Sequence, residues 1–517
     1  MVNDTDSNAV CAVKNMGSQS LTSKAGWSSV ASICNLVGRL VVQIMIARKL
    51  GPGGVGRIAY IMWLVEITNL LTCFGLPNTL TRYIAELFGQ RREHDAVRFA
   101  QWIFIRYFLF AIVGALTVSI LFYCSSQYQG SNMLLFTLMI FYLINALQTI
   151  ILADLAGRQR FDLLARVNFI STFALLTGVA IGVYGYGVTG VFYGYLIGAL
   201  VPVIYGFKLH RDFSIYPLVE ENFRQRVWKF SFHTWLAMLV SAFVWSRMEI
   251  FFLEHYWNAH EVAMFTVALT FANVVQQVAN LLGGAFMSHF SHLLGEGNCK
   301  LVQSQYESAT RLVAFVVVPM AFSGAAIIPT LLPLLFGTNF SSAIPNAVIL
   351  TATSALAFSM IGSALIYAKE RSDFIALSGF VGAIIAVVTN YIVVPHYGAW
   401  GAVWIKLFIQ TSMIALGTWF IIVKLHFSFP FCSLGRTTVA SAFCGISAWM
   451  IQKVEQNSIT GLLLAIFGSV IVYAFSVRIF KVLKSEDANQ LKRISNRMPG
   501  AINSSVNAIL DIMVVES

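Results

Sequence analysis

A polar stripe runs along the first long apolar segment of the chain. Asn35, Arg39 and Gln43 follow one another at intervals of four residues, and this spacing places them on one face of a helix. An arginine near the bilayer centre costs about 2.5–3.5 kcal/mol on insertion scales, so it normally faces a water-filled cavity or a partner. The stripe therefore predicts the wall of a polar cavity. The alternative is that Arg39 pairs with Glu66, in the next apolar segment, as a structural link.

Further charges lie in apolar segments of the C-terminal half. Arg247 and Glu249 lie two residues apart, and Lys406 lies in a later segment. Guanidinium groups bind phosphate or carboxylate through forked, charge-assisted hydrogen bonds. The pattern therefore predicts an anion-binding cavity, and the alternative is that Arg247 merely reaches the interface beside Glu249. The predicted substrate-binding set is Asn35, Arg39, Gln43, Arg247 and Lys406, and the predicted charge or coupling partners are Glu66 and Glu249.

The other reactive side chains predict neither catalysis nor a metal site. His289 and His292 have a ligand-compatible spacing but no neighbouring carboxylate or cysteine, and the seven cysteines are scattered without a CxxC pair. The sequence lacks a Walker A loop, a G-x-S-x-G motif and an Asp-rich nucleotide-sugar motif. We therefore expect no enzymatic activity, no metal and no cofactor, with transport driven by a gradient or by the substrate's own gradient.

The composition identifies the kind of protein that must position these charges. Of 517 residues, 57% are hydrophobic and only 11% are charged, which is too apolar for a soluble globular protein. We predict an all-α polytopic membrane protein with fourteen spans. They lie near 25–47, 58–77, 101–123, 133–153, 167–185, 188–207, 230–252, 262–287, 311–336, 343–367, 374–394, 398–423, 434–452 and 459–480.

The distribution of cations predicts the orientation. With a cytoplasmic N-terminus, 27 of the 34 Lys and Arg residues fall in cytoplasmic segments and only four fall outside, as the positive-inside rule expects. Both termini are then cytoplasmic, and the net charge of +11 matches loops that lie against anionic headgroups rather than a nucleic-acid partner. The outward exceptions are Arg48, Lys49, Arg57 and Lys453. The first three surround a Gly/Pro hairpin and are expected either to anchor span one at outer headgroups or to assist substrate release.

Short matches predict an internal repeat. ELFGQ (86–90) matches HLLGE (292–296), and YGVTGV (186–191) matches YGAWGA (397–402). Six spans separate the matched elements, so the halves form a parallel repeat, and we expect Arg39 and Arg247 to face one central cleft. The predicted organisation is an N-terminal tail (1–24), an N-lobe (25–207), an inter-lobe loop (208–229), a C-lobe (230–423), two added spans (434–480) and a C-terminal tail (481–517), with both tails and the loop cytoplasmic.

Several stretches resemble one family of transporters. ARKLGPGGVGRIAYI (47–61) with FGLPNTLTRYIAE (74–86) is similar to the first-hairpin signature of the polysaccharide-type, Wzx-like flippases of the MOP exporter superfamily. RMEIFFLEHYWNAHEVAMFTVA (247–268) and LLPLLFGTNFSSAIPNAVIL (331–350) look like the exits of that family's spans seven and nine. Many relatives carry an aspartate near the position of Glu249, so the coupling role of that carboxylate is left open.

The resemblance implies a fold and a cargo. The fold is MATE-like, with two six-helix lobes and two additional helices. The cargo is an undecaprenyl-pyrophosphate-linked oligosaccharide, a repeat unit of O-antigen, capsule or exopolysaccharide, moved across the cell inner (cytoplasmic) membrane by alternating access. Its partners are then the lipid-linked glycan, membrane lipids and other polysaccharide-assembly proteins.

Two alternatives remain open at this point. A multidrug or cation antiporter of the same superfamily favours acidic cavity residues, whereas the in-span charges here sum to +1. A membrane glycan polymerase needs a substantial outer loop, and the longest outer connection predicted here has about ten residues.

Overall fold

The computed structural model is built from helices throughout the residues that it describes, which are 4–125, 127–128, 130–209, 221–245, 247–283, 286–455 and 459–483. The predicted C-terminal tail 481–517 lies outside the described residues except for 481–483, and residues 210–220 of the predicted loop 208–229 also lie outside them, while a helix already begins at Glu221. Fifteen α-helices follow one another along the described chain. They are α1 (Asp4–Thr72), α2 (Leu76–Gly89), α3 (Glu93–Tyr123), α4 (Asn132–Gly157), α5 (Phe161–Leu209), α6 (Glu221–Trp245), α7 (Glu249–Tyr256), α8 (Ala259–Gly283), α9 (Phe286–Gly295), α10 (Cys299–Phe336), α11 (Ile344–Thr353), α12 (Met360–Ala368), α13 (Ser372–Val423), α14 (Phe431–Val454) and α15 (Ile459–Ile479).

Three of the long helices bend at a glycine. Gly51 in α1, Gly187 in α5 and Gly398 in α13 each have a non-helical backbone with φ of 63°, 56° and 54°. Glycine adopts positive φ without the steric cost that a Cβ brings. Each bend lies where the sequence predicts a turn between two spans, so each of these helices accounts for two predicted spans.

Nine helices of the described chain are long and apolar enough to cross a membrane. They include the bent helices α1, α5 and α13, and together they carry all the predicted spans except the seventh and the thirteenth. The thirteenth corresponds to α14, a 24-residue helix. The all-α, multi-span fold class is therefore confirmed.

The structure corrects three details of the predicted spans. Span seven is not continuous, because α6 ends at Trp245 and α7 begins at Glu249. Span ten is divided into α11 and α12 by a 3-10 helix over Ser354–Ser359. The segment after span two, predicted as a loop, forms α2, whose buried side chains lie along one face.

The order of helices repeats at nearly constant spacing. α3 begins at Glu93 and α10 at Cys299, which is 206 residues later. α5 begins at Phe161 and α13 at Ser372, which is 211 residues later. These are the offsets of the sequence matches, so the parallel repeat is expressed in the secondary structure.

The chain divides into two compact units, Met1–Ala242 (unit 1) and Phe243–Ser517 (unit 2). The side chains of α6 show why it groups with unit 1. Trp235 donates its indole N–H to the carbonyl of Leu70 at 2.9 Å, and the Ser231 hydroxyl donates to the carbonyl of Phe74 at 2.6 Å. The predicted lobes, with their boundary at 207–230, stay a prediction.

The two arms of α5 touch through glycines. A Cβ built on Gly190 would lie 1.8 Å from the carbonyl oxygen of Gly182, and one built on Gly182 would lie 2.1 Å from the carbonyl oxygen of Gly190. Small residues allow backbones to approach closely in membrane helix pairs, where van der Waals contact supplies much of the association. This contact fixes the hairpin that packs against α1 in unit 1.

Candidate functional site

Arg39 has an exposed side chain on α1. The preceding residue, Gly38, packs against α5, since a Cβ there would lie 2.2 Å from Cγ2 of Thr172. Successive helical residues point about 100° apart, so Arg39 does not point along this contact. Nε of Arg39 donates a hydrogen bond to Oδ1 of Asn35 at 3.4 Å, which places these two members of the stripe together. Gln43 is half-buried.

The structural alternative for Arg39 is a pair with Glu66, and that pair is not formed. Glu66 is exposed on the second arm of α1. Within residues 34–125, whose side chains the structure describes, no ion pair joins the two groups. Among the described side chains of unit 1, no carboxylate forms an ion pair with Arg39.

Lys406 is held differently. It lies on the second arm of α13, and its Nζ approaches Oε1 and Oε2 of Glu249 at 3.2 and 3.5 Å. The two side chains are only 8% and 5% exposed. Glu249 begins α7, directly after the break in span seven, so the ion pair ties this short helix to α13. In the structure the charge of Lys406 is thus paired within unit 2, and its predicted part in binding an anion stays a prediction.

Arg247 lies in the break between α6 and α7 and is half-buried. Its carbonyl accepts the first backbone hydrogen bonds of α7, from the N–H of Ile250 at 3.1 Å. Among the described side chains of unit 2, no carboxylate forms an ion pair with Arg247. Glu249, which lies two residues after Arg247, pairs instead with Lys406.

The cations of the first hairpin contact the protein. Nη2 of Arg57 donates to the carbonyl of Gln127 at 2.7 Å, and Nζ of Lys49 lies 4.7 Å from the ring centre of Tyr184. Both contacts join the hairpin to neighbouring turns of unit 1. These two residues therefore have structural partners, in addition to any role at the membrane surface.

The corresponding turn in unit 2 uses a carboxylate that the sequence analysis did not select. Oε2 of Glu261 on α8 accepts a hydrogen bond from the backbone N–H of Ala399 at 2.9 Å, directly after the bend of α13. Trp257 donates its indole N–H to the carbonyl of Val394 at 2.8 Å, before that bend. Glu261 is separated from Ala399 by 138 residues, so no local pattern indicates this contact.

A polar network lies at the other end of unit 2. Glu307 on α10 accepts hydrogen bonds from Gln303 and from the Ser428 hydroxyl. Nη1 of Arg311 lies 3.7 Å from Oε2 of the same carboxylate. Arg311 is therefore a buried partner of Glu307 and not a free cation.

Comparison with known proteins gives one family match. The family model described as "Polysaccharide biosynthesis protein" matches residues 45–345. An uncharacterized membrane protein from Methanocaldococcus jannaschii is 20% identical over 475 residues, which cover 86% of this chain and 93% of the relative.

Two solved structures are similar in fold. The lipid II flippase MurJ, in an inward closed conformation, superposes with a TM-score of 0.71 at 13% identity and covers 88% of this chain and 98% of its own. An inward-facing multidrug resistance MATE family transporter of the MOP superfamily gives a TM-score of 0.60 at 16% identity, covering 87% and 98%. At these identities the similarity establishes a common fold.

Proposed function

Because the chain belongs to the family of polysaccharide biosynthesis proteins, we propose that it is a flippase that translocates a lipid-linked oligosaccharide across a membrane. The cargo is an undecaprenyl-pyrophosphate-linked repeat unit, and the membrane is the cytoplasmic membrane. The termini face the cytoplasm, as the cation distribution predicts. In this proposal the protein acts as a transporter and not as an enzyme.

The observation that supports an anionic cargo is the unequal state of the in-span charges. Lys406 and Glu249 neutralise each other. The remaining in-span charges are two arginines, Arg39 and Arg247, and one carboxylate, Glu66. No acidic side chain described in either unit forms an ion pair with either arginine. A membrane-embedded cation without a counter-ion is costly, and the diphosphate of a lipid-linked glycan supplies that counter-ion during transport.

In this proposal Arg39 and Arg247 each bind the diphosphate. A guanidinium group donates two parallel hydrogen bonds to a phosphate, which fixes orientation as well as supplying charge. Asn35 holds Nε of Arg39, so the two terminal nitrogens of Arg39 remain directed to the cargo. Alternating access between the two units then carries the headgroup and its glycan from one leaflet to the other.

The test measures flipping in proteoliposomes. A fluorescent undecaprenyl-pyrophosphate glycan is incorporated in both leaflets, and a membrane-impermeant reducing agent added outside destroys the outer fluorescence. The slow phase of the fluorescence decay then reports how fast the lipid-linked glycan of the protected inner leaflet crosses the membrane. Arg39→Ala and Arg247→Ala are expected to slow this phase roughly tenfold to a hundredfold, as the loss of charge-assisted hydrogen bonds implies. Arg→Lys at each position should retain more activity than Arg→Ala.

Arg436→Ala is the matched control, because Arg436 is an exposed helical arginine on α14. It should flip at the parental rate, and protein-free vesicles give the rate of leakage. If both alanine variants insert normally and still flip at the parental rate, the arginines are structural and an anionic cargo bound by them is excluded. If the parental protein flips no glycan but takes up an organic cation, the result would point instead to a multidrug-type antiporter.

A further inference from the structure

A pocket lies wholly within unit 2, where α10, α12 and the second arm of α13 meet. Its lining mixes hydroxyl groups with apolar side chains. The lining residues are Tyr306, Thr310, Phe358, Ser359, Gly362, Ser363, Ile366, Met413, Ile414, Gly417, Thr418, Ile421 and Phe429. None of the predicted substrate-binding or coupling residues contributes to it.

Small residues leave open space at this pocket. A Cβ built on Gly417 of α13 would have no heavy atom within 4 Å, so the space beside it is open. Across the pocket, a Cβ on Gly362 of α12 would meet only Ile421 Cδ1, at 2.8 Å, and the Tyr306 hydroxyl, at 3.7 Å. A side chain at position 417 can therefore fill the pocket without meeting backbone.

Two lysines stand at the ends of the helices that form the pocket. Lys369 follows the last turn of α12, three residues after the lining residue Ile366, and Lys424 follows α13, three residues after the lining residue Ile421. Nζ of Lys369 lies 5.1 Å from the ring centre of Phe427. Within residues 286–455, no carboxylate forms an ion pair with either lysine.

Two exposed aromatic side chains lie near the same ends of α12 and α13 as these lysines. Trp419 and Tyr367 are 49% and 43% exposed on α13 and α12, and tryptophan and tyrosine are enriched where helices cross the membrane surface. The cation distribution assigns this end to the cytoplasmic side. The pocket therefore opens beside the inner leaflet, where anionic lipids attract basic side chains by about 1 kcal/mol each.

We propose that this pocket binds one anionic phospholipid of the inner leaflet, with a few methylene groups of one acyl chain between α10, α12 and α13 and the phosphate at Lys369 and Lys424. The hydroxyl groups of the lining serve the glycerol ester region. Charge complementarity selects the anionic headgroup, because two lysines without carboxylate partners lie at one end of an otherwise mainly apolar pocket. This site is separate from the residues proposed to bind the cargo, so it is independent of the proposed function.

The test is native mass spectrometry of the delipidated full-length protein, titrated with dioleoyl phosphatidylglycerol or dioleoyl phosphatidylcholine. We expect one tight phosphatidylglycerol and no comparable phosphatidylcholine. Lys369→Gln with Lys424→Gln should weaken the tight site about 30-fold, as the loss of two surface cations implies. Gly417→Leu should abolish the site by filling the pocket.

Two matched controls separate this site from general effects. Gly435→Leu changes a glycine of α14 whose Cβ would also meet no heavy atom within 4 Å but which does not line the pocket. Lys300→Gln removes an exposed lysine at the start of α10. Both should bind phosphatidylglycerol like the parent. Equal binding of phosphatidylcholine, or parental binding in either the double lysine variant or Gly417→Leu, would overturn the proposal.

Discussion

The two units treat their in-span charges in opposite ways. In unit 1, Arg39 and Glu66 are both exposed and do not pair. In unit 2, Lys406 and Glu249 are buried and lie 3.2 Å apart. The two halves therefore carry in-span charges of similar type in different states: Arg39 and Glu66 of unit 1 are exposed and do not pair with each other, whereas Lys406 and Glu249 of unit 2 form a buried ion pair.

The contrast follows from the break in span seven. Unit 1 opens with a long helix, and Gly38 packs that helix so closely against α5 that Arg39 must point elsewhere. Unit 2 opens with the short helix α7, whose eight residues are too few to hold their place by backbone hydrogen bonds alone. The ion pair between Glu249 and Lys406 supplies the missing attachment.

The bends of α5 and α13 also differ in what holds their two arms together. Gly187 and Gly398 have nearly the same backbone, with φ/ψ of 56°/−129° and 54°/−138°. The arms at Gly187 are held by backbone contact between Gly182 and Gly190. The arms at Gly398 are held from outside, by the Glu261 carboxylate. Unit 1 thus relies on close packing where unit 2 relies on charge.

The largest effect should come from breaking the buried pair of unit 2. Lys406→Met leaves the Glu249 carboxylate buried without its cation, and removing one partner of a buried pair costs about 3–5 kcal/mol. Thermal unfolding of the purified protein in detergent should show a marked loss of stability. The double variant Lys406→Met with Glu249→Leu should recover most of it, since no uncompensated charge remains.

Arg39→Ala is the comparison in unit 1 and should leave thermal stability close to parental, because Arg39 is exposed. If Lys406→Met unfolds at the parental temperature, the pair does not hold α7. If Arg39→Ala destabilises the protein as much as Lys406→Met does, the contrast between the two units fails.

A smaller effect is expected at the glycine contact. Gly190→Ala places a methyl group against the Gly182 carbonyl, where backbone must move, and overpacking of this kind costs about 1–3 kcal/mol. The counterpart is Gly401→Ala in unit 2, whose Cβ would meet side-chain atoms of Tyr397 and Val393 at 2.9 and 3.1 Å. These separations are much longer than the 1.8 Å between a Cβ at position 190 and the Gly182 carbonyl oxygen, so the thermal stability of Gly401→Ala should fall less. A larger loss for Gly401→Ala would contradict the view that unit 1 depends more on close packing.

Hydropathy and glycine position predicted much of this fold. Apolar runs located the spans, and a Gly/Pro cluster located the first hairpin; the structure shows that a glycine with positive φ lies at or beside three of the predicted turns, at Gly51, Gly187 and Gly398. One of the matches that predict the repeat, YGVTGV with YGAWGA, lies at two of these bends. The break after Trp245 was missed, since the residues around it form one apolar run and contain neither glycine nor proline.

The charge partners could not be read from the sequence. Glu249 and Lys406 are 157 residues apart, and the closer neighbour Arg247 made an equally reasonable partner for Glu249. Arg39 and Glu66 also made a reasonable pair, and only the packing of Gly38 against Thr172 shows that Arg39 does not point along the contact with α5. The helical spacing of Asn35 and Arg39 was informative, because side chains four residues apart on one helix meet.

The smallest effect should be seen at the carboxylate that caps the second arm of α13. Glu261 accepts the N–H of Ala399 in the first turn after the bend, where a helix has unsatisfied donors and a partial positive charge. Glu261→Ala removes both the acceptor and the charge, and the loss of such a cap costs about 1 kcal/mol. Glu261→Gln keeps an acceptor oxygen and should lose less.

Hydrogen exchange at Ala399 and the following residues should quicken in Glu261→Ala while exchange in the arms of α5 stays parental. Glu296→Ala, at an exposed glutamate after α9, controls for the removal of negative charge. Parental exchange at Ala399 in Glu261→Ala would mean that the bend at Gly398 holds its shape without the carboxylate, as the glycine contact holds α5, and the two bends would then be stabilised alike.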